Sequence, residues 1–291
     1  MRYNHLGDPF NKTFSHQNAR INGLNIHYVI GGTGEPLVLL HGYPQTWYAF
    51  RHIMPVLAKN YTVIAPDLRG LGDSEKPLTG YDTYSVADDM YRLVRQLGFT
   101  SIRLLGHDFG ANVAYAYTAS HRGEVSKLAL LDVGLLDSGI ENYPMLPKQQ
   151  KSLWWFPFHN VKDLPEQLVA GKEELYLRWF YENSAFNKVA FTKEDISEFV
   201  RCYSSPGGMR AGFEYYRAIA LDVKQNLEQV KTKLTLPVLA LGGEKSFGMG
   251  VYESWKAAAE NIRGAVIPQS GHYIADEQPE ALLAELLPFF R

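Results

Sequence analysis

The sequence predicts a mostly parallel β-sheet covered by helices on both faces and interrupted by one helical insertion. Short apolar runs recur along the chain, most of them ended by Gly or Pro. Helical patterns alternate with those runs, and the alternation stops between residues 133 and 230. Strands that are apolar almost throughout have both faces buried, which is the signature of a parallel sheet between helices.

The elements follow in order. Ala19 to Ile30 reads as an antiparallel hairpin turning at Asn22-Gly23. The six apolar runs are Leu37–Leu40, Tyr61–Ala65, Ile102–Leu105, Lys127–Leu131, Pro237–Leu241 and Gly264–Pro268. Helices are expected at Ser85–Leu97, Ala111–Ala119 and Tyr252–Ala259. Within the insertion, helical patterns cover Leu164–Asn183 and Thr192–Tyr203. The expected organisation is a first part of the core at 1–132, a helical cap at 133–230, and the rest of the core at 231–291.

Bulk composition narrows the function. The chain has 291 residues, 46% of them hydrophobic, enough to bury a large core without staples. A net charge of −2 leaves no basic balance for nucleic acid or an anionic membrane. No apolar run reaches the length of a membrane helix. The single cysteine, Cys202, excludes an internal disulfide and reads as a packed apolar group. The polar N-terminus shows no leader, so a cytoplasmic protein is expected, or an exported one already trimmed.

The chemistry concentrates at four places. Gly106-His107-Asp108-Phe109-Gly110 joins a strand to a helix with small residues two positions either side of Asp108. That is the nucleophile-elbow pattern with aspartate in place of serine, and the helix N-terminus should help keep the carboxylate ionised. His41-Gly42-Tyr43-Pro44 follows another strand and is the matching oxyanion turn, so the N–H groups of Tyr43 and Phe109 are the expected donors. His272, in Ser270-Gly271-His272-Tyr273 after the last strand, stands where the general base comes in chain order. Its orienting acid is either Asp132, at a strand end, or Glu244, in the loop after the next strand. Asp132 is preferred.

These motifs, with Ala65-Pro66-Asp67-Leu68-Arg69-Gly70-Leu71-Gly72 in the core and Val169-Ala170-Gly171-Lys172-Glu173 and Phe213-Glu214-Tyr215-Tyr216-Arg217-Ala218 in the insertion, resemble the epoxide hydrolase branch of the α/β-hydrolase superfamily. The resemblance implies an α/β-hydrolase fold with a helical cap and an acid at the end of the sixth strand, which again favours Asp132. It also implies a ring-opening tyrosine at Tyr216. A second ring-opening donor, His or Tyr in such enzymes, would fall on Trp154 or Trp155, with His159 nearby but displaced.

An aspartate nucleophile selects the reaction class. Serine attacking a saturated carbon would leave an ether, whereas aspartate leaves an ester that water can cleave. Epoxides and carbon–halogen bonds are the corresponding electrophiles. Opening an epoxide makes an alkoxide and needs a proton donor such as Tyr216, whereas a halide leaves as a stable anion. Trp154 and Trp155 keep halide binding open. Fluoroacetate dehalogenases, however, carry Arg directly after the nucleophile and again three residues on, where this chain has Phe109 and Asn112. A small-molecule sensor on the same fold is a third reading. The expected partners are a small apolar epoxide and water, with no cofactor and no metal.

Overall fold

The computed structural model describes residues 6–142 and 152–291. Tyr143, the first of the insertion's aromatic residues, lies outside the described residues. One eight-stranded sheet runs in the order β1-β2-β4-β3-β5-β6-β7-β8. Its strands are β1 (Phe14–Ile21), β2 (Leu24–Gly31), β3 (Glu35–Leu40), β4 (Tyr61–Pro66), β5 (Ile102–His107), β6 (Val125–Leu131), β7 (Val238–Gly243) and β8 (Ile262–Ile267). β2 is antiparallel to both neighbours, and the six strands from β4 to β8 across the sheet are parallel. All six apolar runs became strands. The hairpin turns at Asn22 and Gly23, both at positive φ, as a two-residue turn requires.

The chain leaves β3 toward β4 on one side and returns to β5 on the other. This reversal opens a crevice at the C-terminal ends of β3 and β5, the usual ligand position in an open α/β sheet. The sheet is flanked by α1 (Gly7–Thr13), α2 (Met54–Leu57), α3 (Thr83–Gln96) and α4 (Phe109–Ser120) before the insertion. Within it come α5 (Trp155–Asn160), α6 (Leu164–Val169), α7 (Glu173–Ser184), α8 (Lys193–Tyr203) and α9 (Gly208–Gln229). After it come α10 (Gly250–Trp255), α11 (Ile274–Glu277) and α12 (Pro279–Phe290). No strand lies between β6 and β7 among the described residues.

Two expected helices differ. The Leu164–Asn183 pattern splits into α6 and α7, because Ala170 leaves the helical conformation at ψ 124° and Gly171 sits at φ +75°. The Tyr252–Ala259 pattern begins and ends earlier, at α10. Ala259 instead forms a parallel bridge with Leu234 beside the sheet. α1 was not expected. Its seven residues lack helical periodicity, and Phe10 is the residue that anchors it, on Phe14 and Trp47.

The helices of the insertion are fastened to the core by buried polar contacts. Tyr181, Tyr203 and Tyr215 donate hydroxyl hydrogen bonds to the backbone carbonyls of Pro44, Gln45 and Arg69. Arg51 reaches Asp276 on α11 at 2.5 Å and Asp195 on α8 at 3.0 Å. Gln45 and Tyr48 donate to the same two carboxylates. Asn226 at the end of α9 donates to Leu136 O, so the segments leaving and re-entering the core are tied together. Arg51→Met would strand two buried carboxylates without their cation. It should lower unfolding free energy by about 3–5 kcal/mol in urea titration; a loss below about 1 kcal/mol would contradict this view of the joint.

Candidate active site

The elbow is built by absent side chains. Asp108 has φ 54° and ψ −130°, a sparsely populated conformation held by its surroundings. A Cβ at Gly106 would lie 2.2 Å from Gly110 O, and one at Gly110 would lie 2.2 Å from Leu40 O. β3, β5 and α4 therefore approach at these glycines and lift Asp108 into the crevice. Gly42 matters for the same reason, since its Cβ would lie 2.2 Å from Asp108 Oδ1. With that space open, Tyr43 N–H donates to Asp108 Oδ1 at 2.9 Å, and Phe109 N–H donates to the same carboxylate.

His272 stands over this carboxylate, with Nε2 3.6 Å from Asp108 Oδ2. Its Nδ1 is 2.8 Å from Asp132 Oδ2. Asp132 is fully buried at the end of β6, and its other oxygen accepts from Gly243 N–H at 2.7 Å. An ionised Asp132 makes His272 Nδ1 the donor and leaves Nε2 free to take a proton. Glu244 is exposed and bound to Lys245 and to Gln269 N–H. The structure thus joins Asp132, and not Glu244, to His272.

The loop carrying His272 is fixed from both sides. Glu277 accepts from the backbone N–H groups of Gly271 and Tyr273 in the core and of Phe186 and Asn187 after α7. His272 N–H donates to Ser184 O, and His107 Nε2–H donates to His272 O. Nothing in the sequence patterns pointed to Glu277 or Ser184, because their role appears only when two distant loops meet.

The electrostatics differ in one respect from expectation. Burial raises the pKa of Asp108 above the usual aspartate value, and the opposing pull of His272 and the N–H groups of Phe109 and Tyr43 does not fully offset it. For His272 burial alone would lower the pKa. The hydrogen bond and charge of Asp132, with the charge of Asp108, outweigh burial and leave it raised.

On the insertion side, Tyr216 is buried against Phe109 and Tyr43, with ring centroids 5.0 and 5.6 Å away. Burial, then the charge of Asp108, pushes its hydroxyl well above pKa 10, so it keeps its proton. Among α5 side chains, Phe156 and His159 meet Tyr216, at 5.1 and 4.4 Å. Trp154 and Trp155 turn instead onto Trp179 and Phe180. His159 is fully buried and neutral, its pKa driven down by burial and then by Arg217. Its Nε2 bonds the Tyr176 hydroxyl, a residue the sequence reading missed. Tyr176 and Phe180 stand four residues apart on α7 and so share one face.

Among the described residues one group of metal-capable side chains, His27, Asp67 and Asp73, lies together. Asp67 is spent on His27 and on the N–H groups of Trp47 and Asp73, so the group reads as a brace between β2 and the loop after β4.

Comparison with known proteins identifies the family. Residues 35–279 match the alpha/beta hydrolase fold family. A soluble epoxide hydrolase from Corynebacterium sp. (strain C12) is 40% identical over 280 residues, covering 95% of this chain and 97% of that one. The crystal structure of wild-type Cfl2 from Burkholderia cenocepacia superposes with a TM-score of 0.91 at 40% identity, covering 96% of both chains. A fluoroacetate dehalogenase from Burkholderia sp. is 28% identical over 286 residues, covering 92% of this chain and 90% of that one. The chain belongs to the α/β hydrolase fold family, in its epoxide hydrolase branch. No helix among the described residues is long and apolar enough to cross a membrane.

The two candidate acids separate by mutation. Asp132→Asn should lower turnover by roughly 10³–10⁴-fold through loss of the correct His272 tautomer. Glu244→Gln should stay within about threefold, because its carboxylate faces solvent. Steady-state kinetics on both variants checks this, and a large loss at Glu244 would reverse the assignment.

Proposed function

We propose that this enzyme opens a small apolar epoxide to its vicinal diol through an ester on Asp108. The observation that carries the reading is the placement of a protonated, buried Tyr216 beside a carboxylate nucleophile that His272 overlooks. An Asp108 oxygen attacks a ring carbon, the ring C–O bond breaks, and the departing oxygen takes the Tyr216 proton. His272 Nε2 then takes a proton from water as the water oxygen attacks the Asp108 carboxyl carbon. The tetrahedral oxyanion is held by the N–H groups of Tyr43 and Phe109. Collapse releases the diol, whose second oxygen receives the proton from His272. Tyr216, whose hydroxyl holds its proton well above pKa 10, regains one from solvent before the ester is hydrolysed, and the remaining water proton passes back to solvent.

Alkylation also prepares the second half-reaction. In the free enzyme the Asp108 charge helps raise the His272 pKa. Once Asp108 is an ester that charge is gone, so the His272 pKa falls and the imidazole becomes an available base. Protons inhibit hydrolysis only below this lowered value. The acid limb of ester hydrolysis in single-turnover pH-jump experiments should therefore lie below the His272 pKa of the free enzyme, measured by NMR. Coincidence of the two values would refute the coupling.

A haloacid reading lacks support at the residues it needs. Phe109 is packed against Tyr215 and Tyr216, and Asn112 is spent on Gly134 O and Leu136 N–H. Neither leaves a cation for a carboxylate substrate. The partly exposed aromatic residues Trp154, Trp155, Phe156, Tyr176 and Trp179 suit an aryl or long alkyl substituent.

The deciding experiment incubates the protein with styrene oxide, 1,2-epoxyhexane and 1-chlorohexane, following diol and halide. Diol from either epoxide, with no chloride release, is expected. His272→Gln should accumulate an adduct of one epoxide mass on Asp108, detectable in the intact protein. Chloride release without diol, or an adduct elsewhere, would defeat the proposal.

A further inference from the structure

The oxyanion donor Tyr43 belongs to the core, but its side chain is enclosed by the insertion. Its ring meets His159 on α5 at 5.5 Å, Phe180 on α7 at 5.9 Å, Tyr203 on α8 at 5.4 Å and Tyr216 on α9 at 5.6 Å. Each contact is edge to face. The Tyr43 hydroxyl is buried with no hydrogen-bond partner among the described residues. Shape alone therefore holds this ring, whereas buried tyrosines ordinarily gain a polar anchor.

The last wall of the enclosure is Gly212. It lies inside α9, four residues before Tyr216, where glycine weakens the helix by roughly 1 kcal/mol relative to alanine. A Cβ there would stand 2.6 Å from Tyr43 Cε2 and 2.8 Å from Cδ2, closer than such contacts allow. Something would have to move. α9 is held by Tyr215 to Arg69 O, by Asp222 on the N–H and hydroxyl of Thr83, by Arg217 on Glu166, and by Asn226 on Leu136 O. The Tyr43 ring has no such tether, and it hangs directly from the backbone whose N–H reaches Asp108.

We infer that Gly212 is a positioning residue for ester hydrolysis, setting the oxyanion donor of the core through the Tyr43 ring from within the helix that carries Tyr216. The inference rests on the Asp108 ester proposed above. It makes the insertion a working part of the second half-reaction as well as the wall of the substrate site. Because the displaced group is the oxyanion donor, hydrolysis of the ester is the step that suffers, and ring opening by Asp108 and Tyr216 is affected less.

The test follows adduct formation and decay on Asp108 by rapid quench and intact-mass measurement with styrene oxide. Gly212→Ala should slow decay roughly tenfold or more, leave formation within about threefold, and so let adduct build up. In a Tyr43→Ala background the same change should cost less than about twofold, because nothing remains for the new methyl to strike. Should Gly212→Ala fold poorly, adding Tyr43→Ala should restore the yield and melting temperature. Decay at the wild-type rate, equal slowing of both steps, or an equal loss in both backgrounds would overturn the inference, as would a double variant no more stable than the single. Adduct in His272→Gln with normal decay in Gly212→Ala removes this inference alone. Absence of adduct in His272→Gln removes the ester as well.

Discussion

The chain must hold a carboxylate in a partly buried crevice, keep it reactive, and surround it with groups that do not neutralise it permanently. Burial works against the charge of Asp108, and the groups that oppose burial are weak ones: two backbone N–H groups and one imidazole. The glycines at 42, 106 and 110 exist because N–H donors can reach the carboxylate only if three backbones come into contact. The strained backbone at Asp108 and the close turn at Gly42 both follow from that requirement.

The same constraint explains how the histidine is treated. An imidazole beside two carboxylates is biased toward the protonated form. In the proposed mechanism that bias suits the resting enzyme, because a nearby positive charge favours the ionised form of Asp108. It would defeat base catalysis if it persisted. In the mechanism we propose, esterification cancels one of the two charges at the moment a base is required, so the chemistry of Asp108 itself would switch the histidine. Asp132 supplies the constant part of the field and the tautomer, and its complete burial with a second hydrogen bond from Gly243 N–H keeps it from rotating away.

Much of the core was legible because each strand is one continuous apolar run and the two catalytic turns carry their glycines in sequence. The elbow and the His41-Gly42-Tyr43 turn need particular residues at fixed offsets, and local chemistry writes such offsets directly. The insertion was less legible. Its helices are bounded by tertiary contacts, and a single break at Gly171 divides what periodicity reads as one helix. Asp132 could be preferred over Glu244 from its place at a strand end and from the family resemblance, whereas its distance to His272 across the sheet is not contained in the spacing. The α5 aromatics show the same limit. The family resemblance pointed to Trp154 or Trp155, whereas the packing of α5 on α9 brings His159 and Phe156 to Tyr216.

These illegible contacts join the two halves of the enzyme. Tyr43 projects its amide toward Asp108 and its ring into four helices of the insertion. His272 Nδ1 bonds Asp132 at the end of β6, while its backbone N–H donates to Ser184 O at the end of α7. Glu277 spans the same boundary with four N–H groups. A lid that swung freely would break all of these bonds and dismantle the oxyanion turn and the histidine loop together.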